Sequence, residues 1–139
     1  MGSPVILDTG PLVALLDRND PWHIWAGEQT KLLMEPMLTC EAVISESAFV
    51  LGALDPGCQR LTGLFRDGVI HLGFDLEDHL DAVAALLAKY ADAPMSLADA
   101  CLVRMSELHS NARVFTIDAD FKLYRRHGRQ TIPLIYPAP

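Results

Sequence analysis

Five carboxylates, Asp8, Glu46, Asp99, Asp118 and Asp120, have the types and places to do chemistry together. An all-oxygen acidic set suits a hard divalent cation such as Mg²⁺ or Mn²⁺. Without such a partner, like charges crowded together work against the fold. Each acid also has an ordinary structural use. Asp8 suits a turn that caps the next helix. Ser96-Leu97-Ala98-Asp99 fits a capping pattern, although Glu or Gln is the usual acid partner. Asp118-Ala119-Asp120 reads equally well as turn chemistry. Glu46 lies three or four residues from Ala42, Val43, Phe49 and Val50, which predicts a sheet-facing carboxylate that needs a cation or donors. Arg104 is a candidate ion-pair partner for it. What sets the acids apart is that all four loci fall at the same kind of place.

The elements that would put them there can be read in order. Pro4-Val5-Ile6-Leu7 is a short apolar run that ends at Asp8-Thr9-Gly10-Pro11. It predicts a strand buried on both faces, with Asp8 at its carboxyl end and a helix entered through Gly10-Pro11. Asp20-Pro21 opens a helix to about Leu33, and Met37–Cys40 is a second strand. Helices are expected over 41–54, closed by Asp55-Pro56-Gly57, and over 58–66. The third strand is 69–74. Asp75 caps a helix whose apolar positions are Leu76, Leu80, Val83, Leu87 and Ala91. Ser96 opens the next helix, to about His109. A fourth strand over 113–117 leads into Asp118, a short helix starts at Phe121, and 131–135 is a last strand. Alternating strands and helices predict a parallel sheet of about five strands within one domain over residues 1–139. Open sheets of this class bind ligands at the carboxyl ends of their strands.

Composition narrows the possibilities. With half its 139 residues hydrophobic and 21% charged, the chain has a globular composition and length enough for one core. No apolar run reaches the roughly 20 residues of a membrane span, and no signal peptide precedes the first strand. Three cysteines without CxxC spacing disfavour a zinc site or a disulfide framework, so a cytoplasmic setting is expected. The net charge of −7 argues against a nucleic-acid partner unless bound metal reverses the local charge of the acids. The basic residues Lys122, Arg125, Arg126, His127 and Arg129 cluster near the end, as a solvated face or as phosphate contacts.

These motifs resemble, over nearly the whole chain, the PIN-domain ribonucleases, especially the VapC-type toxins of toxin–antitoxin pairs. The resemblance is carried by Val5–Asp17, by Glu46 in Ala42–Glu46, by Ser96-Leu97-Ala98-Asp99-Ala100 and by Thr116–Phe121. It implies a three-layer α/β/α domain with strand order 3-2-1-4-5. It further implies cleavage of RNA by water activated by one or two Mg²⁺ or Mn²⁺ ions. Asp8 and Asp99 would be the main ligands, completed by Glu46 and Asp118, with Asp120 as a further acid. Thr9, Ser96 and Thr116 would be auxiliary to the substrate site. A small antitoxin protein and a homodimer are the partners implied. One departure is Gly10, where many relatives carry Ser. The alternative is a non-catalytic PIN-like module that binds RNA or protein. Asp8-Thr9-Gly10 is also the triplet of aspartic proteases, but the helical periodicity over 76–91 and 96–109 opposes that all-β fold.

Overall fold

The computed structural model describes residues 3–54 and 56–139. Its main sheet has five parallel strands: β1 (Val5–Leu7), β2 (Met37–Thr39), β3 (Ile70–Leu72), β4 (Arg113–Phe115) and β7 (Leu134–Ile135). The order is β3-β2-β1-β4-β7, so the opening strand is central. All three β1 residues are buried, as a strand covered on both faces requires. Ile6 lies opposite Leu38 on one side and Val114 on the other.

Among the described residues six helices connect the strands: α1 (Thr9–Leu16), α2 (His23–Lys31), α3 (Glu41–Leu51), α4 (Gly57–Arg66), α5 (Leu80–Lys89) and α6 (Leu97–Leu108). The chain steps one way from β1 to β3 and back across the sheet to β4. With right-handed crossovers, this puts α1–α4 on one face and α5–α6 on the other. The packing agrees for the most part: α1 touches α2, α3 and α4, and α6 packs on α5, β1 and β4, while α3 and α6 also touch each other, so the two layers meet there. The core between the layers is built on Ile6, Leu7, Leu12, Val43, Leu102 and Phe115, none with any exposed surface.

Several boundaries and faces differ from the sequence expectation. Helix α5 covers only part of the expected 76–91. Its N-terminal turn, Glu77–His79, is 3₁₀, and Asp75 accepts a hydrogen bond from the Glu77 N–H there. Val83 and Leu86 form its buried face, while Leu80 is 53% exposed and Ala91 lies beyond the helix end. The expected last strand over 131–135 is two strands. Gln130-Thr131 (β6) pairs antiparallel with Arg125-Arg126 (β5), and Leu134-Ile135 joins the main sheet. Pro133, which has no N–H, separates them, and its carbonyl accepts from the Val114 N–H. The short helix expected from Phe121 is a 3₁₀ turn over Ala119–Lys122. Helix α3 stops at Leu51, with Gly52 as its cap. Asp55, expected to help close it, lies outside the described residues.

Candidate active site

Asp8 ends the central strand. Its N–H donates to the Phe115 carbonyl at 3.0 Å, continuing the β1–β4 ladder, and its side chain then turns toward the start of α1. One carboxylate oxygen accepts from the Thr9 N–H and the other from the Thr116 hydroxyl, both at 2.7 Å. Thr116 is fully buried just past β4, and its oxygen also accepts from the Asp118 N–H at 2.9 Å. Asp8 is only 6% exposed. Burial pushes its pKa up to about 6; the Thr116 and Thr9 hydrogen bonds oppose this, and the charges of Asp99 and Asp118 add to it.

Asp99 arrives from the opposite helical layer. The Ser96 hydroxyl accepts from the Asp99 N–H at 3.0 Å, and the Ser96 N–H donates to the Asp99 carboxylate at 3.2 Å, closing a reciprocal cap on α6. Asp99 therefore caps its helix and faces the acids at the same time. It is 8% exposed, and the same carboxylate oxygen accepts from the Tyr124 hydroxyl at 3.2 Å. Burial raises its pKa; the Ser96 and Tyr124 bonds counter this, and the charges of Asp118 and Glu46 reinforce it.

Asp118 caps the 3₁₀ turn by accepting from the Asp120 N–H at 2.9 Å. Its charge reaches both Asp8 and Asp99. Asp120 bears on Tyr124 instead, which places it at the margin of the group. Tyr124, fully buried, has its own pKa raised, first by burial and then by Asp99.

Glu46 corrects the sequence expectation. It is exposed, as are Phe49 (87%) and Val50 (50%); Val43, Ser47 and Leu51 form the buried face of α3. Its partner is the Thr9 hydroxyl at 3.0 Å and not Arg104, which pairs with Glu107. Glu46 still belongs with the acids, because its charge bears on Asp99.

The basic cluster is mostly structural. The Arg126 guanidinium is buried and donates to the Ser106 and Ser110 carbonyls at the end of α6, both at 2.9 Å. Arg125 donates to three carbonyls over 122–124. Among the described residues the one ion pair is Arg104–Glu107, so no lysine or arginine neutralises these acids. The donor set matches a hard divalent cation chemically, but as the side chains lie, no three described His, Cys, Asp or Glu residues form a ready cage. Hydroxyls of Thr116, Tyr124 and Thr9 hold oxygens of Asp8, Asp99 and Glu46.

Sequence reasoning brought Asp8, Glu46, Asp99, Asp118, Thr9, Ser96 and Thr116 to one sheet edge, where the structure has them. It missed Tyr124. The available signal was an aromatic residue with a polar tip four positions after Asp120, hidden inside the basic run.

No curated protein sequence matches the chain significantly. Among solved structures it resembles the crystal structure of Mycobacterium tuberculosis VapC20, described as a toxin that cleaves the sarcin–ricin loop. The TM-score is 0.73 at 17% identity, over 86% of this chain and 93% of that one. At that identity the likeness is one of fold. The family model of the PIN domain matches residues 5–126, from the first strand through the last candidate acid to Arg126. By that match and by the parallel sheet that gathers its acids, the chain belongs to the PIN-domain family.

Proposed function

We propose that this chain is a ribonuclease dependent on Mg²⁺ or Mn²⁺, and the toxin of a VapBC-like toxin–antitoxin pair. The carrying observation is the meeting of Asp8, Asp99, Asp118 and Glu46 at one sheet edge, with the two buried acids raised in pKa and no cation paired to them among the described residues. Such a cluster is costly to the fold and useful to an enzyme. Membership in the PIN family supports it, as does the fold shared with a toxin that cleaves the sarcin–ricin loop.

In this reading Asp8 and Asp99 are the main ligands, Glu46 and Asp118 complete the set, and Asp120 is a further acid at its margin. A bound divalent ion supplies Lewis acidity, making water a nucleophile near neutral pH and offsetting charge on the phosphate. The protein does the rest. Thr116 and the Thr9 N–H fix the Asp8 carboxylate on two sides, so its orientation does not depend on solvent. Ser96 and Tyr124 both hold the Asp99 carboxylate by one oxygen, Oδ2. The Thr9 hydroxyl, now on Glu46, stands where it can turn to a phosphate oxygen. In-line attack leaves a 3′-hydroxyl and a 5′-phosphate.

The toxin reading adds a small antitoxin partner whose tail covers the acids, where an arginine would replace the metal's charge by a bidentate ion pair. It also implies a homodimer acting in the cytoplasm. No helix among the described residues is long and apolar enough to cross a membrane. The test is incubation of the purified protein with end-labelled structured RNAs in Mg²⁺, in Mn²⁺ and in chelator. Defined fragments with either ion and intact RNA in chelator are expected; intact RNA throughout contradicts the proposal.

A further inference from the structure

Beside the acids, on the β7 side, lies a cleft of about 270 Å³ lined by Trp22, Ile117, Lys122, Tyr136 and the segment 137–139. Its place follows from the register. Ile117 sits between Thr116, which holds Asp8, and Asp118. The Thr116 N–H donates to the Ile135 carbonyl, so Tyr136 emerges at the same carboxyl edge. Among the described residues, no Asp or Glu lines this cleft.

Its walls have a distinct chemistry. Trp22 is 37% exposed and is held edge-to-face by Trp25, with ring centroids 5.9 Å apart. Trp25 is held in turn against buried Phe115 at 5.4 Å. The exposed indole is thus braced from the core and loses little freedom when something stacks on it. Across the cleft the Lys122 ammonium lies 4.0 Å from the centroid of the Tyr136 ring. Lys122 is exposed, and among the described residues it is not committed to backbone carbonyls as Arg125 and Arg126 are. A fixed aromatic face, a second ring and a cation resting on that ring beside an acidic cluster form a combination suited to single-stranded nucleic acid, where bases stack and cations meet the backbone.

We propose that this cleft receives one unpaired base of the RNA, stacked on Trp22, while Lys122 contacts an adjoining phosphate. The subsite fixes the register of the strand against the acids, so one nucleotide at a set distance from the cut is held by shape rather than by base identity. This rests on the ribonuclease reading and adds to it a determinant of where cleavage falls.

The experiment uses a short RNA that the full chain cuts, resynthesised with a single abasic nucleotide at each position around the cut. One position, and only one, should raise KM about ten-fold. Trp22→Leu should raise KM similarly on intact RNA and add nothing on the RNA abasic at that position, because both changes remove the same contact. Trp22→Phe should recover most of the loss, which separates stacking from misfolding. Lys122→Met should weaken binding and reduce its salt dependence by about one phosphate contact. An abasic scan without a single sensitive position, or additive effects of Trp22→Leu and the abasic site, would overturn the subsite while leaving the nuclease reading intact. If wild type cuts no RNA with either ion, both fall.

Discussion

Asp99 carries two duties, and they predict different responses to one substitution. Asn at this position keeps a carbonyl oxygen to accept from the Ser96 N–H, so Asp99→Asn should leave the cap largely in place. It also removes a buried charge that Asp118 and Glu46 oppose. Thermal melts should show Asp99→Asn at least as stable as wild type in chelator. The rise on adding millimolar Mg²⁺ or Mn²⁺ should be smaller, since that rise measures selective binding to the folded state. A lower melt in chelator with an unchanged response to metal would make Asp99 a cap alone. Asp8 makes a prediction about pH. Its pKa is raised from 3.8 to about 6 by folding, so the folded state binds the proton more tightly than the unfolded one. The associated stability is fully present below about 3.8 and is lost as pH rises through about 6. Between those limits it amounts to at most roughly 3 kcal/mol. Metal-free wild type should therefore gain stability relative to Asp8→Asn as pH falls from 7 to 5 in urea titrations; parallel curves would contradict the burial of an unpaired Asp8 charge.

At the scale of elements, the start of α1 and the segment after β4 are fitted to each other. A Cβ on Gly10 would lie 2.5 Å from Cγ1 and 2.9 Å from Cδ1 of Ile117. Ile117 occupies the space a side chain at position 10 would need. Alanine is ordinarily better than glycine in a helix by about 1 kcal/mol. Here the clash should win, and Gly10→Ala should cost about 1–3 kcal/mol. In an Ile117→Ala background the same change should be neutral or stabilising. Urea unfolding of the four proteins measures this coupling, and additive effects would contradict the close packing. Elements were legible in the sequence where burial was continuous or a cap was local. The run Val5–Leu7 is buried on both faces and so carries no ambiguity about which side faces the core. Glu46 was read on the wrong face because Phe49 and Val50 look like core residues, yet both are exposed. Hydrophobicity alone does not distinguish an inward residue from one left open on a surface. The β5–β6 hairpin was missed because its turn depends on positive φ at His127 and Gly128, and its anchor is Arg126 reaching back to α6. Tyr124 was missed for a related reason: its bond to Asp99 spans 25 residues, and its place inside the basic run hides the one local sign of it.

At the scale of the whole molecule, we propose that residues 1–139 form one cooperative unit. The sheet threads the chain from β1 to β7, and the acids come from both helical layers. Calorimetric and van't Hoff enthalpies of unfolding should then agree, with a single transition; two transitions would contradict this. We propose that these carboxylates together form one metal-dependent site for cleaving RNA. Its most direct test is the single-turnover rate of RNA cleavage by wild type, Asp8→Asn, Glu46→Gln, Asp99→Asn and Asp118→Asn, each in Mn²⁺ and in chelator, with folding checked by circular dichroism. Cleavage should require the ion, fall at least about a hundred-fold in Asp8→Asn and Asp99→Asn, and fall less in Glu46→Gln, whose carboxylate is exposed. Cleavage that persists in chelator, or in folded Asp8→Asn and Asp99→Asn at the wild-type rate, would contradict it.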